Sequence, residues 1–321
     1  MLSKNLRLLF FLLFLFSCAR KGIPPSPDRF APRLKRLEVQ DMTHLLCRFS
    51  EPLDSLSIKR ENFSITSGED TLNIRFIIQR DKNTLLLLTQ PQKRKDYLLS
   101  LRVADTAGNI ASIKKRFRGS LLPDTIPPRI VSIHPCAGKT KVLKGVIEVS
   151  FSEPMDTLSP LCFIFVKGVL KKKWNKNQNL LILTFEDTLK GVSYFLLPPL
   201  LTDLSHNPLF LGTYTYFTSD SILPRYPVYG RVYYKKSPIS NAMLLFYNKD
   251  TLKALALSDL LGEFSLKLRE GEYRIECFAD TSRDGWIDLL GDYPRFIPSQ
   301  ETLSIYLKRP ERRLGTCDLI R

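Results

Sequence analysis

Apolar and polar positions trade places in short runs through residues 30–220, and Asp, Asn, Gly and Pro punctuate them. Leu37-Glu38-Val39 and Val146-Ile147-Glu148-Val149-Ser150-Phe151 carry a period of two, that of a strand with one buried face. In the first hundred residues or so the pattern predicts seven strands: 34–39, 44–49, 63–66, 73–79, 84–89, 97–103 and 113–118. Long helical periodicity is absent. Sheets of this kind need a partner sheet over their apolar face, so the expected fold class is all-β, built of sandwiches.

The pattern also repeats. Phe49-Ser50-Glu51-Pro52-Leu53-Asp54 returns as Phe151-Ser152-Glu153-Pro154-Met155-Asp156. Pro32-Arg33-Leu34 answers Pro128-Arg129-Ile130, and the run from Thr84 to Thr89 answers the one from Asn179 to Thr184. Asp105-Thr106-Ala107-Gly108-Asn109 answers Asp203-Leu204-Ser205-His206-Asn207. Four landmarks in one order imply a duplicated unit. At about 90–100 residues each, the units have the size of an immunoglobulin-like sandwich.

The run from Pro127 to Ile133, followed by Val149-Ser150-Phe151-Ser152-Glu153-Pro154-Met155-Asp156, resembles the bacterial Ig-like domain of the S-layer type. Asp105-x-x-Gly108-Asn109 is similar to that family's late turn, and the second repeat departs from it with His206 in the glycine's place. The resemblance implies spacers and binding platforms rather than catalysts. Glu51 with Asp54 and Glu153 with Asp156 have the look of paired carboxylates for acid–base work. The plainer reading is that Ser-Glu-Pro ends a strand and the Asp side chain closes the turn, with no nucleophile or His nearby in sequence.

Beyond Pro224 the pattern changes. Gly230-Arg231-Val232, then a strand to Phe246, then Asp259-x-x-Gly262-Glu263-Phe264 and Leu268-Arg269-Glu270-Gly271-Glu272-Tyr273 resemble the carboxypeptidase regulatory-like, prealbumin-like sandwich. That resemblance places Phe264 and Tyr273 in a core. The expected division is a signal at 1–17, a tether at 18–32, Ig-like domains at 33–120 and 126–220, the third sandwich at 227–309 and a tail at 310–321.

The third sandwich carries the sharpest chemical motif. Asp280-Thr281-Ser282-Arg283-Asp284-Gly285-Trp286-Ile287-Asp288 matches the first nine positions of an EF-hand-type calcium loop. Asp280, Ser282, Asp284 and Asp288 would give side-chain oxygens, Trp286 a backbone carbonyl, and Gly285 the bend. Position twelve is Gly291, where a bidentate Glu belongs, and Arg283 puts a cation inside the loop. Calcium is thus the one candidate cofactor, and an Asx-turn loop without metal is the alternative. Trp286 reads as a plug for the end of the sandwich, with a glycan or partner contact as its other reading.

The N-terminus speaks to location. Lys4 and Arg7 precede the apolar run from Leu8 to Phe16, which is too short to span a bilayer and fits a secretory signal. Leu15-Phe16-Ser17-Cys18 resembles the bacterial lipobox, which implies lipidation of Cys18. The other readings of the segment are a plain signal cut elsewhere and a buried strand. Ala19 after the Cys resembles the pattern of outer-membrane sorting, and Arg20-Lys21 lack the acidity of a surface-export tag, so a periplasm-facing anchor is expected. Prolines 24, 25, 27 and 32 make an extended tether.

Composition narrows the rest. Lys and Arg number 48 against 32 acids, a formal +16. The cations are spread over strands and loops without a nucleic-acid motif, so solvated strand faces or attraction to anionic lipid and glycans fit better than nucleic acid. Three His, at 44, 134 and 206, follow no metal-ligand spacing. Nucleotide-loop and nucleophile-elbow motifs are missing, so a non-enzyme is expected. Of six Cys, Cys136 with Cys162 and Cys277 with Cys317 are the candidate disulfides, unpaired thiols being the alternative, and Cys47 reads as a small core residue. The expected partners are the membrane, through lipid, and an envelope protein or glycan. The expected role is a scaffold or adhesion module, with an accessory that recognises carbohydrate or protein substrates for an enzyme as the alternative.

Overall fold

A computed structural model describes residues 28–142, 145–158, 163–165, 171–184, 191–298, 302–312 and 314–315. Strands dominate them. The helical content of the described residues is two single 3-10 turns, Ser55–Ser57 and Arg60–Asn62. No helix among these residues is long and apolar enough to cross a membrane.

The first module holds β1 (Leu34–Val39), β2 (His44–Phe49), β3 (Phe63–Ser67), β4 (Asp70–Thr71), β5 (Ile74–Asp81), β6 (Thr84–Thr89), β7 (Asp96–Ala104) and β8 (Ile110–Arg118). They form antiparallel sheets in the orders β1-β2-β6-β5 and β4-β3-β7-β8. Leu45, Cys47 and Phe49 of β2 and Leu85 and Leu87 of β6 meet Ile65, Leu99 and Leu101 between the sheets. Cys47 is the small core residue its alternation implied.

The second module holds β9 (Ile130–His134), β10 (Val146–Phe151), β11 (Ile164–Phe165), β12 (Lys171–Trp174), β13 (Leu180–Thr184), β14 (Val192–Leu197) and β15 (Thr213–Thr218). Its sheets run β12-β13-β10-β9 and β11-β14-β15. This is the order of the first module, with β9 and β10 standing for β1 and β2, and β11, β14 and β15 for β3, β7 and β8; among the described residues β4 has no counterpart. The duplication read from four landmarks is therefore a duplication of topology. The late turn shows how it survives a changed residue. Gly108 has φ +91° and His206 has φ +65°, so the histidine occupies the left-handed conformation that the glycine takes freely.

The third module holds β16 (Tyr226–Tyr234), β17 (Ser237–Pro238), β18 (Met243–Asn248), β19 (Thr251–Leu257), β20 (Glu263–Leu268), β21 (Tyr273–Ala279), β22 (Leu289–Phe296) and β23 (Leu303–Leu307). One sheet runs β19-β18-β21-β22, and the other β17-β16-β20 with β23 added parallel to β16. Gly230 lies where β16 is pressed from both sides. A Cβ there would overlap the Phe264 ring and stand 2.6 Å from the Leu303 carbonyl oxygen. Phe264 and Tyr273 are each 5 % exposed, as expected of core aromatics.

Two of the strands buried on both faces, β6 and β14, join the modules. In β6, Leu85 and Leu87 enter the first module's core, while Leu86 and Leu88 join Leu46 and Ile78 in a second cluster that Leu204 of the second module covers. In β14, Phe195 and Leu197 enter the second module's core, while Tyr194 and Leu196 belong to the third module's cluster with Leu255, Leu257 and Leu268. The phenolic groups of Tyr194 and Tyr214 donate to the carbonyls of Lys267 and Ser265. The sandwiches are thus not self-contained. The alternate residues of one strand serve two cores, which puts apolar side chains where a free-standing sheet would place polar ones.

Candidate functional site

The seam between the first two modules gathers most of the buried charge. Asp41 precedes β2, and its Oδ1 accepts the backbone N–H groups of Thr43 and His44. That turn aims the His44 ring inward. Nδ1 of His44 lies 2.8 Å from Asp41 Oδ2 and 3.7 Å from Asp124 Oδ2, and Nε2 lies 3.4 Å from Glu153 Oε2. Asp124 comes from the linker and Glu153 from the end of β10. Asp203 completes the group, with one carboxylate oxygen each of Asp124, Glu153 and Asp203 within 4.8 Å of the others.

Electrostatics follow from this packing. Burial opposes the charged form of His44, but the bond to Asp41 and the facing Glu153 more than offset it and raise its pKa to about 9. The imidazole is therefore cationic at neutral pH. Burial pushes Asp124 upward, against the Ile126 N–H and the His44 charge, and nearby Asp41 and Glu153 add to the rise. Burial likewise raises Asp203, against hydrogen bonds from Asn207 and Ser205.

The first repeat holds the same three carboxylates at matching positions. Asp28, Glu51 and Asp105 group as Asp124, Glu153 and Asp203 do. The frames also match. Asn109 Nδ2 donates to the Asp28 carbonyl as Asn207 Nδ2 does to that of Asp124, and Asp105 and Asp203 each accept an N–H and the side-chain amide of that Asn. The first set lies open, with Asp28 exposed, whereas the second is covered by the first module.

The motifs singled out in the sequence meet different fates. Asp54 and Asp156 close their turns by accepting the N–H of Leu56 and Leu158, as the turn reading held. Glu153 does not stand apart from histidine, because folding brings His44 of the other repeat against it. In the 280–288 loop, Asp280 accepts the N–H groups of Arg283 and Gly285, and Asp288 those of Thr281 and Ser282. Asp284 accepts the N–H of Trp286. Among the described residues, Asp280, Asp284 and Asp288 are not brought into one group of three ligand oxygens. Trp286 is 40 % exposed, and Ile287 beside it, 3 % exposed, enters the third module's core. Cys47, Cys136 and Cys277 are free thiols, and Cys18, Cys162 and Cys317 lie outside the described residues.

A second feature lies on the third module. A groove of about 570 Å³ is lined by Tyr214, Tyr229, Tyr233, Arg231, Asp259 and Glu263, among others. Tyr229 is 56 % exposed, and Tyr233 stacks on the exposed Tyr306 with centroids 5.6 Å apart. No sequence motif marks this row. Its signal was the Tyr-x-x-x-Tyr alternation along β16, which puts Tyr229 and Tyr233 on one face.

No family model matches the chain, and no curated protein does. Solved structures do align with it. The N-terminal part of the bacterial S-layer protein SbsC aligns at 15 % identity and a TM-score of 0.27, over 59 % of this chain and 44 % of that one. Dimeric latent PorU from Porphyromonas gingivalis aligns at 10 % identity and a TM-score of 0.34, over 87 % and 34 %. Titin domains A168–A170 align at 10 % identity and a TM-score of 0.22, over 89 % and 99 %. The chain thus spans under half the length of the SbsC fragment. The all-β fold class rests on the strands and sheets themselves.

Proposed function

We propose that this chain is a non-enzymatic scaffold of the bacterial envelope, lipid-anchored at Cys18 and facing the periplasm from the outer membrane. The observation that carries this reading is where the titratable groups sit. His44, Asp41, Asp124 and Glu153, the groups best suited to acid–base work, are buried in a seam between modules. There they hold surfaces together rather than face a substrate. Shared clusters on both sides of the second module add to this, because a spacer transmits position only if its joints are stiff. The anchor is tested by detergent partitioning. The chain is expected in the detergent phase, and Cys18→Ala is expected in the aqueous phase, since a diacylated Cys binds membranes stably where an unmodified N-terminus does not. Equal partitioning of the two forms would remove the anchor.

The tyrosine groove favours a second reading, an accessory that recognises envelope glycans. Flat aromatic faces beside Arg231 and Glu263 suit sugar rings and their hydroxyls. In a pull-down on purified envelope polysaccharide, Tyr229→Ala with Tyr233→Ala should lower retention at least tenfold. Unchanged retention would leave the scaffold reading alone.

A further inference from the structure

Four carboxylates are buried in the seam around a single base. Asp41, Asp124, Glu153 and Asp203 are 4 %, 9 %, 4 % and 1 % exposed. Among the described residues, His44 is within ion-pair reach of Asp41, Asp124 and Glu153, and no Lys or Arg joins it. Even a protonated imidazole offsets only one of those charges. A buried carboxylate without a counter-charge takes up a proton or a cation.

One atom points to a cation. Asp124 Oδ2 accepts no hydrogen bond, although the side chain is 3 % exposed and His44 Nδ1 stands 3.7 Å from it. Buried polar atoms are nearly always satisfied, so this oxygen marks room for something that the surrounding side chains do not supply. The spacing says what. Calcium binds oxygens at about 2.3–2.6 Å, so two oxygens on one ion stand up to about 5 Å apart. The mutual limit of 4.8 Å among Asp124, Glu153 and Asp203 lies inside that span. Magnesium gives up its waters reluctantly and is seldom caged by protein oxygens alone, so a buried set of three carboxylates suits calcium better.

We propose that Asp124, Glu153 and Asp203 hold a calcium-class divalent cation between the first two modules. The ion ties the linker, the end of β10 and the loop after Thr202 into one point. Asp41 stays with His44. The ion is independent of the scaffold reading, because the seam binds it whatever the chain anchors to or contacts. The proposal concerns this set alone, since its counterpart in the first repeat lies open at Asp28.

Calorimetric titration of the full chain in detergent with calcium chloride tests it, alongside thermal melting in calcium and in EGTA. The expected affinity is that of extracellular sites, about 10⁻⁴–10⁻³ M. At 10 mM calcium the melting temperature should rise by about 3–8 °C. Glu153→Gln should abolish the shift, and Asp284→Asn, in the 280–288 loop, should leave it in place. Should Glu153→Gln not fold, trypsin cleavage after Arg129 in the unaltered chain gives the answer, because calcium should slow it at least fivefold relative to EGTA. Three results would overturn the site: no calcium effect on melting or cleavage, a shift lost in Asp284→Asn but kept in Glu153→Gln, or zinc or manganese binding a hundredfold tighter than calcium through His44.

Discussion

Raising the pH from 6.5 to 9 in EGTA should cost the seam between the first two modules up to about 3 kcal/mol, and His44→Gln should abolish that slope. The sign follows from the direction of the shift. His44 titrates near 6.5 in an unfolded chain and at about 9 in the folded one. Its stabilisation is complete below the unfolded value and is lost as the pH climbs through the folded one. The carboxylates shift in two directions. Asp41 is held below the usual carboxylate range, burial raising it but the bonds to His44 and Thr43 outweighing that. Its contribution is present at neutral pH and is lost on acidification. Asp124 and Asp203 are raised, so acid relieves them instead. The His44→Gln comparison separates this alkaline loss from whatever the carboxylates contribute. At neutral pH, His44→Gln removes the buried counter-charge outright, a loss of about 3–5 kcal/mol for a broken buried pair. Urea titrations of both forms at pH 6.5, 7.5 and 9 check this, and parallel slopes would mean that the imidazolium is not the counter-ion.

The same seam shows which parts of the molecule can be read without coordinates. Strand positions follow from short apolar runs between turn-forming residues, a local property, so 34–39, 44–49 and 84–89 coincide with β1, β2 and β6. Duplication follows from residue identity, and the sheet orders repeat it. The His44 cluster is not local. Its members come from the first module, the linker and two separate loops of the second, and sequence spacing carries no trace of their meeting. One signal was present. Leu85-Leu86-Leu87-Leu88 does not alternate, and an unbroken apolar strand is the mark of burial on both faces. It announced a covering partner without naming Leu204 as part of it. The tyrosine row was legible as a pattern along β16 but not as a groove, since Tyr214 reaches it from the second module.

Leu196→Asp should separate the second and third modules. Leu196 has no exposed surface, and it points away from its own module's core into the cluster formed with β18 and β19. Its neighbours Phe195 and Leu197 point the other way, so the substitution leaves the second module's own core intact. Losing a buried Leu side chain forfeits about 2–5 kcal/mol, and an unpaired carboxylate in its place adds several more unless the interface opens to admit water. Opening is the cheaper route, because it exposes one interface rather than unfolding a sandwich. It also breaks the hydrogen bonds from Tyr194 to Lys267 and from the Gly212 N–H to Asn241. Calorimetry should therefore resolve one joint transition of these two modules into two in the variant. Small-angle scattering should show a larger radius of gyration, and the exposed face of β14 should bind a hydrophobic dye. Leu196→Met, close in volume and apolar, should keep the joint transition. If Leu196→Asp melts as the unaltered chain does, the cluster that spans the two modules does not couple them.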